Sequence, residues 1–140
     1  MTINRREALA AGAGALAVAG LGVSPALAET MEEHMAAFTG GAPVGEGGIT
    51  LTAPEIAENG NTVPVEVSAP GAVAIAIFAP ANPDAAVVTV NFGPLNPTQH
   101  VSTRMRLAKT QDVTAVAKMA DGSFVQAAST VKVTIGGCGG

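Results

Sequence analysis

The 140-residue sequence has no tryptophan and no tyrosine, so its aromatic content is confined to four phenylalanines. It has a single cysteine, Cys138, and two histidines, His34 and His100. One cysteine excludes an internal disulfide, and any fold must stand on apolar packing alone. Two histidines far apart in sequence, with no second thiol, provide no metal-ligand spacing. A copper site of the cupredoxin kind needs a histidine and a methionine closely following its cysteine, whereas only Gly139 and Gly140 follow Cys138. No glycine-rich phosphate loop opens a helix, no nucleophile–base pair is recognisable, and no cofactor is predicted. The core must be built from valine, isoleucine, alanine and methionine.

What is present begins with an export signal. Arg5 and Arg6 form a charged start, Ala8 to Val23 is an uncharged Ala, Gly, Leu and Val stretch, and Ala26-Leu27-Ala28 follows helix-breaking Pro25. The apolar stretch is about 16 residues, short for a membrane span. Paired arginines followed by Leu9 fit the twin-arginine route, although Glu7 and Ala8 depart from the strongest form of that motif and leave an ordinary secretory signal open. Residues 1–28 are therefore read as a cleaved signal peptide, Glu29 as the mature start, and the periplasm as the destination. Cleavage removes two arginines and one glutamate, which moves the formal charge from −4 to −5. That balance disfavours nucleic acid and anionic membrane as partners. The remaining length of about 110 residues fits one domain, assigned to residues 29–135.

Thr30-Met31-Glu32-Glu33 has the form of a capping box. Met31, Met35 and Phe38 follow at helical spacing and Gly40-Gly41 closes the segment, so a short helix is predicted from about Thr30 to Phe38. His34 on that helix, beside two glutamates, reads as solvated rather than ligating; His100, at a strand start, reads as structural or solvated. Beyond Gly48 the pattern changes to period two. Val63, Val65 and Val67 alternate with Pro64, Glu66 and Ser68, and Val73, Ile75 and Ile77 with Ala74, Ala76 and Phe78. Val101, Thr103, Met105 and Leu107 alternate with Ser102, Arg104, Arg106 and Ala108, and Val131, Val133 and Ile135 with Thr130, Lys132 and Thr134. Shorter runs lie at 49–52, 85–92 and 112–119, with Gly, Pro, Asn and Asp breaks between them. The expectation is an all-β, immunoglobulin-like antiparallel sandwich of about seven strands with a short N-terminal helix and a flexible C-terminal arm. Pro64 suggests an edge strand. The nearly unbroken apolar runs 72–80 and 85–90 suggest a sheet covered on both faces, and a partner subunit is one way to cover it.

The chain ends Gly136-Gly137-Cys138-Gly139-Gly140. A thiol two residues from the end cannot serve a core, and four flanking glycines leave a slender backbone without side-chain partners. The five residues reach roughly 17 Å fully extended and about 12 Å as a coil. No adjacent cation or helix terminus activates the thiol, the nearest upstream charge being Lys132. An enzyme nucleophile requires more assistance than that; a carrier does not, because the enzymes it visits can supply it. The tail is therefore read as a swinging arm, residues 136–140, that presents Cys138.

The ending from Val131 to Gly140 closely resembles the C-terminus of the SoxY family, the sulfur-compound carriers of the bacterial thiosulfate-oxidising Sox system. Pro54-Glu55-Ile56-Ala57-Glu58-Asn59-Gly60 with Val63-Pro64-Val65, then Arg104-Met105-Arg106-Leu107-Ala108 and Val113-Thr114-Ala115-Val116-Ala117, resemble further blocks of that family. The resemblance spans essentially the whole chain. It implies a non-catalytic carrier with Cys138 as the covalent attachment site and Gly136, Gly137, Gly139 and Gly140 as its arm. It also implies a heterodimer with SoxZ, and transient visits to the haem enzyme SoxAX, the hydrolase SoxB and, where present, SoxCD. Two other classes remain open. One is a ubiquitin-like carrier that uses the Gly140 carboxylate as a thiocarboxylate, which needs ATP and hence the cytoplasm. The other is a structural sandwich subunit with an intermolecular disulfide at Cys138.

Overall fold

A computed structural model describes residues 30–137. The expected signal peptide and the last three residues, Cys138 to Gly140, lie outside the described residues. The elements are helix α1 (Met31–Thr39) and strands β1 (Val44–Glu46), β2 (Thr50–Thr52), β3 (Ile56–Ala57), β4 (Val63–Ser68), β5 (Ala72–Phe78), β6 (Ala86–Asn91), β7 (His100–Met105), β8 (Gln111–Met119) and β9 (Phe124–Val133). They form an immunoglobulin-like sandwich. A six-stranded sheet runs β1-β9-β8-β5-β6 with β3 also on β9, and a three-stranded sheet runs β2-β4-β7.

Nine strands stand where about seven were expected. The two additions, β1 and β3, are three and two residues long and pair parallel with β9. Neither carries an alternating pattern long enough to read. β9 also begins at Phe124, earlier than its regular alternation indicates, because eight successive residues pair antiparallel with β8. The edge position expected for Pro64 is corrected. β4 is the middle strand of its sheet, between β2 and β7. Proline is tolerated there because β2 reaches only as far as Thr52 opposite Glu66, which leaves Pro64 paired with β7 alone, opposite Arg104.

The core lies between the sheets. Val63, Val65 and Val67 of β4 meet Ile75 and Ile77 of β5, Val113, Ala115 and Ala117 of β8, and Val131 of β9, with Met105 and Leu107 closing one end. Each fully buried valine or isoleucine contributes roughly 1.5–3 kcal/mol relative to exposure, so aliphatic residues suffice without large aromatics. Val73 does not join Ile75 and Ile77 as its alternation suggests. A register shift between Ala72 and Ala74 turns Ala72 into the core and leaves Val73 exposed.

The apolar outer face of the large sheet is covered by the chain's own helix. Ala76, Phe78, Val116 and Phe124 form a second buried cluster under Met31, Met35 and Phe38, and the Phe38 and Phe124 rings meet edge-on at 5.8 Å. Nine residues are too few for a stable isolated helix, so packing and capping hold α1. The capping box forms as expected: Glu33 N donates to Thr30 Oγ1 at 3.3 Å and Thr30 N donates to Glu33 Oε2 at 2.6 Å. Gly40 closes the helix at φ 66°.

The β8–β9 turn has a testable electrostatic feature. Ser123 Oγ donates to Asp121 Oδ1 at 2.6 Å and Ser123 N to the same oxygen at 2.9 Å. These bonds, the hydroxyl's first, hold the Asp121 carboxyl below the usual aspartate range. A lowered folded value means the contribution to stability is present above the unfolded pKa and lost as pH falls through the folded one. In Ser123→Ala, the Asp121 titration followed by carboxyl NMR should move up toward the ordinary value; an unmoved midpoint would show that the hydroxyl does not set it.

Candidate functional site: the root of the C-terminal arm

Strand β9 leads into the arm, and the sandwich grips it up to Gly137. Val131 is fully buried. At the end of β9, Ile56 and Ala57 of β3 pair with Lys132 and Val133, and Lys132 N donates to Glu55 O at 2.8 Å. Val133 N donates to Thr110 Oγ1 at 2.9 Å, and Thr134 N to Ala57 O at 3.0 Å. The chain then enters a cleft between the turn around Gly60 and the segment after β7. Gly60 N donates to Ile135 O at 2.7 Å, Leu107 N to Gly60 O at 2.8 Å, and Gly137 N to Leu107 O at 2.9 Å.

Three glycines make this approach possible. A Cβ on Gly60 would collide with the Leu107 carbonyl oxygen and sit 2.8 Å from Gly137 N and 2.9 Å from Ile135 O. A Cβ on Gly136 would collide with Ala108 O, and one on Gly137 would lie 2.9 Å from Gly60 O. None of the three has a positive φ. Glycine is needed here for space, not for an unusual backbone conformation.

The platform beneath the tail is held by a polar cluster. Asn82, in the β5–β6 loop, donates through Nδ2 to Arg106 O at 2.8 Å and accepts at Oδ1 from Ala108 N at 2.9 Å. Gln111 Nε2 donates to the same Asn82 oxygen at 2.9 Å and to Lys109 O at 3.1 Å, and its Oε1 accepts from Ala81 N at 2.9 Å. Gln111 is buried, and no buried side-chain polar atom among the described residues lacks a partner. Leu107, fully buried, anchors the same segment on the apolar side.

Of the arm residues read from sequence, Gly136 and Gly137 are therefore placed in backbone contact with the domain, while Cys138, Gly139 and Gly140 lie outside the described residues. The histidines are elsewhere. His34 Nε2 lies 3.6 Å from Asp84 Oδ1, across from the helix to the β5–β6 loop. His100 begins β7 opposite Ser68, at the far end of β4, and lines a shallow groove of about 640 Å³ with Val90, Phe92 and Leu95. No three His, Cys, Asp or Glu side chains among the described residues converge as metal ligands. Exposed charges of both signs flank in sequence the segments that bond the arm root: Glu55 and Glu58 before Gly60, Arg106 and Lys109 around Leu107, and Lys132 on β9. Sequence reasoning missed Gly60, Asn82 and Gln111. The only signal for them is Gly60's place in the Pro54–Gly60 block, and nothing local marks it as the landing place of a tail about 75 residues later.

The family model for sulfur oxidation protein SoxY matches residues 35–138, which include Cys138. The chain belongs to the SoxY family. Among solved structures, the sulfur carrier protein SoxY from Chlorobium limicola f thiosulfatophilum is 41% identical, with a TM-score of 0.67, covering 76% of this chain and 97% of that one. The likeness to SoxY therefore includes nearly all of the sandwich described above. A superoxide reductase (neelaredoxin) from Ignicoccus hospitalis has the same fold at 18% identity, with a TM-score of 0.54 and coverage of 76% and 95%. A putative superoxide reductase from Thermotoga maritima is similar at 15% identity, with a TM-score of 0.52 and coverage of 61% and 84%. At these identities the likeness concerns the fold alone. No curated protein sequence matches the chain.

The polar cluster yields an expectation for this SoxY-family domain. Gln111→Leu strips Ala81 N of its acceptor and Asn82 of a donor, at a cost of about 1–3 kcal/mol. In a domain near 100 residues, each kcal/mol lowers Tm by about 4–8 °C. Calorimetry should therefore show a drop of several degrees; an unchanged Tm would mean the cluster does not brace the platform.

Proposed function

We propose that the protein carries sulfur intermediates of thiosulfate oxidation covalently on Cys138 and presents them to partner enzymes. The observation that carries this reading is the SoxY match running through residue 138, together with 41% identity to a sulfur carrier over 97% of that carrier's length. The geometry supports it: the last strand of a rigid sandwich delivers the chain to Gly137 beside the cysteine, with no side chain on the two preceding residues to block a narrow channel.

Loading forms a bond between Cys138 Sγ and the sulfane sulfur of thiosulfate. It releases the thiol proton and two electrons, which the haem enzyme SoxAX accepts. Water, with SoxB, then cleaves the terminal sulfone as sulfate and leaves a persulfide on Sγ. SoxCD, where present, oxidises that remaining sulfane sulfur. The chain's own contribution is to bear the thiol on a slender glycine segment and to leave activation to each enzyme's site, which suits a thiol without a neighbouring cation in sequence. The chain is thus a substrate carrier rather than an enzyme, and it works in the periplasm as a heterodimer with SoxZ.

Intact-mass spectrometry of the mature protein from thiosulfate-grown cells should show sulfane and sulfonate adducts that are absent from Cys138→Ser, and the variant cells should lose thiosulfate oxidation. Unmodified thiol alone, with normal oxidation by the Cys138→Ser cells, would overturn the reading. N-terminal sequencing of the exported protein should begin at Glu29, and replacing Arg5 and Arg6 by lysine should stop export by the twin-arginine route. Export unaffected by that change would point to the general secretory route instead.

A further inference from the structure

We infer that Gly60 is a positioning residue for the arm: with Gly136 and Gly137 it forms a backbone clamp that fixes where Cys138 leaves the domain and how far its thiol reaches. The inference rests on the carrier reading for its purpose, and on the described geometry for its mechanism.

Three chain segments meet here by backbone alone. Leu107 N donates to Gly60 O, Gly60 N donates to Ile135 O, and Gly137 N donates to Leu107 O, so the bonds close a ring around the three segments. The ring leaves no room for a Cβ at Gly60, Gly136 or Gly137. Gly60 is buried, lies outside every strand and takes an ordinary backbone conformation; a side chain there would suit the local backbone but would collide with the Leu107 carbonyl and crowd the tail at Ile135 and Gly137. With the clamp closed, Cys138 is one residue from an anchored backbone, a Cα–Cα step of about 3.8 Å. With the bonds beyond Val133 broken, it stands five Cα–Cα steps from the end of β9, a reach of roughly 17 Å. The same glycines thus allow two reaches: a short one that keeps the thiol near the domain, and a long one for a deep active site. Only the few backbone bonds after β9 separate them, while the β8–β9 ladder stays intact.

The test uses the full mature protein as wild type, Gly60→Ala and Gly136→Ala. Amide exchange at Gly137 reads the clamp. The ratio of Cys138 alkylation rates for a bulky and a small maleimide reads the reach. In both variants Gly137 exchange should accelerate by at least about tenfold, equivalent to roughly 1.4 kcal/mol, with β8–β9 protection unchanged. The bulky-to-small ratio should rise severalfold. Gly136→Ala lies beyond β9 and keeps the test valid if Gly60→Ala fails to fold. Unchanged Gly137 exchange in Gly136→Ala would overturn the clamp. Faster exchange with an unchanged alkylation ratio would overturn the positioning role. Failure of the wild-type protein to acquire sulfur adducts would overturn the carrier reading alone, because neither readout needs a partner enzyme.

Discussion

Strand β9 is held along both edges, and the rest of the molecule depends on that. On one side eight residues pair with β8. On the other, β1 pairs with its start and β3 with its end, both parallel. Between those two contacts the chain crosses to the smaller sheet as β2, so the N-terminal segment laces the two layers together. Parallel pairing of such short pieces is weak by itself. It persists because β9 is already fixed by β8 and by the burial of Val131. The strand that bears the arm is therefore among the most constrained in the domain. On the proposed carrier reading this matters, because a tether presents its cargo reproducibly only if it starts from a fixed point.

The covering of the large sheet follows from the same economy. β5 is apolar on both faces, and one face makes the inter-sheet core, while Val116 of β8 and Phe124 of β9 extend the other. The other would be an exposed apolar surface without α1. The helix supplies Met31, Met35 and Phe38 at a spacing that places them on one side, and the edge-on contact of Phe38 with Phe124 secures the fit. Flexible methionines suit the irregular surface left by alanine-rich strands.

The arm root shows that glycine serves two physical ends. Without a side chain, a backbone is freer, and it can also approach another backbone more closely. At Gly136 and Gly137 the second effect is realised, because Gly60 and the Leu107–Ala108 carbonyls stand where a Cβ would be. The Asn82–Gln111 cluster supports that arrangement by bonding Arg106 O, Ala108 N and Lys109 O, on either side of the Leu107 and Ala108 carbonyls that the tail meets.

Much of this was legible in the chain. The capping box and Gly40 determine the helix by local hydrogen bonding, and the alternating valines of β4 determine a half-buried strand, since a period of two can bury only one face. The single cysteine determines that the chain has no internal disulfide and that its core stands on apolar packing. Other features were decided only by tertiary structure. β1 and β3 exist because β9 offers them an edge, and the register shift in β5 reverses Val73 because packing of Ala72 and Ile75 outweighs simple alternation. Pro64 sits in a central strand because a neighbour happens to end before it. The role of Gly60 needed the fold most of all. A glycine whose φ is ordinary looks like any turn residue until a segment about 75 residues downstream packs against it, and no local pattern records a contact between two bare backbones.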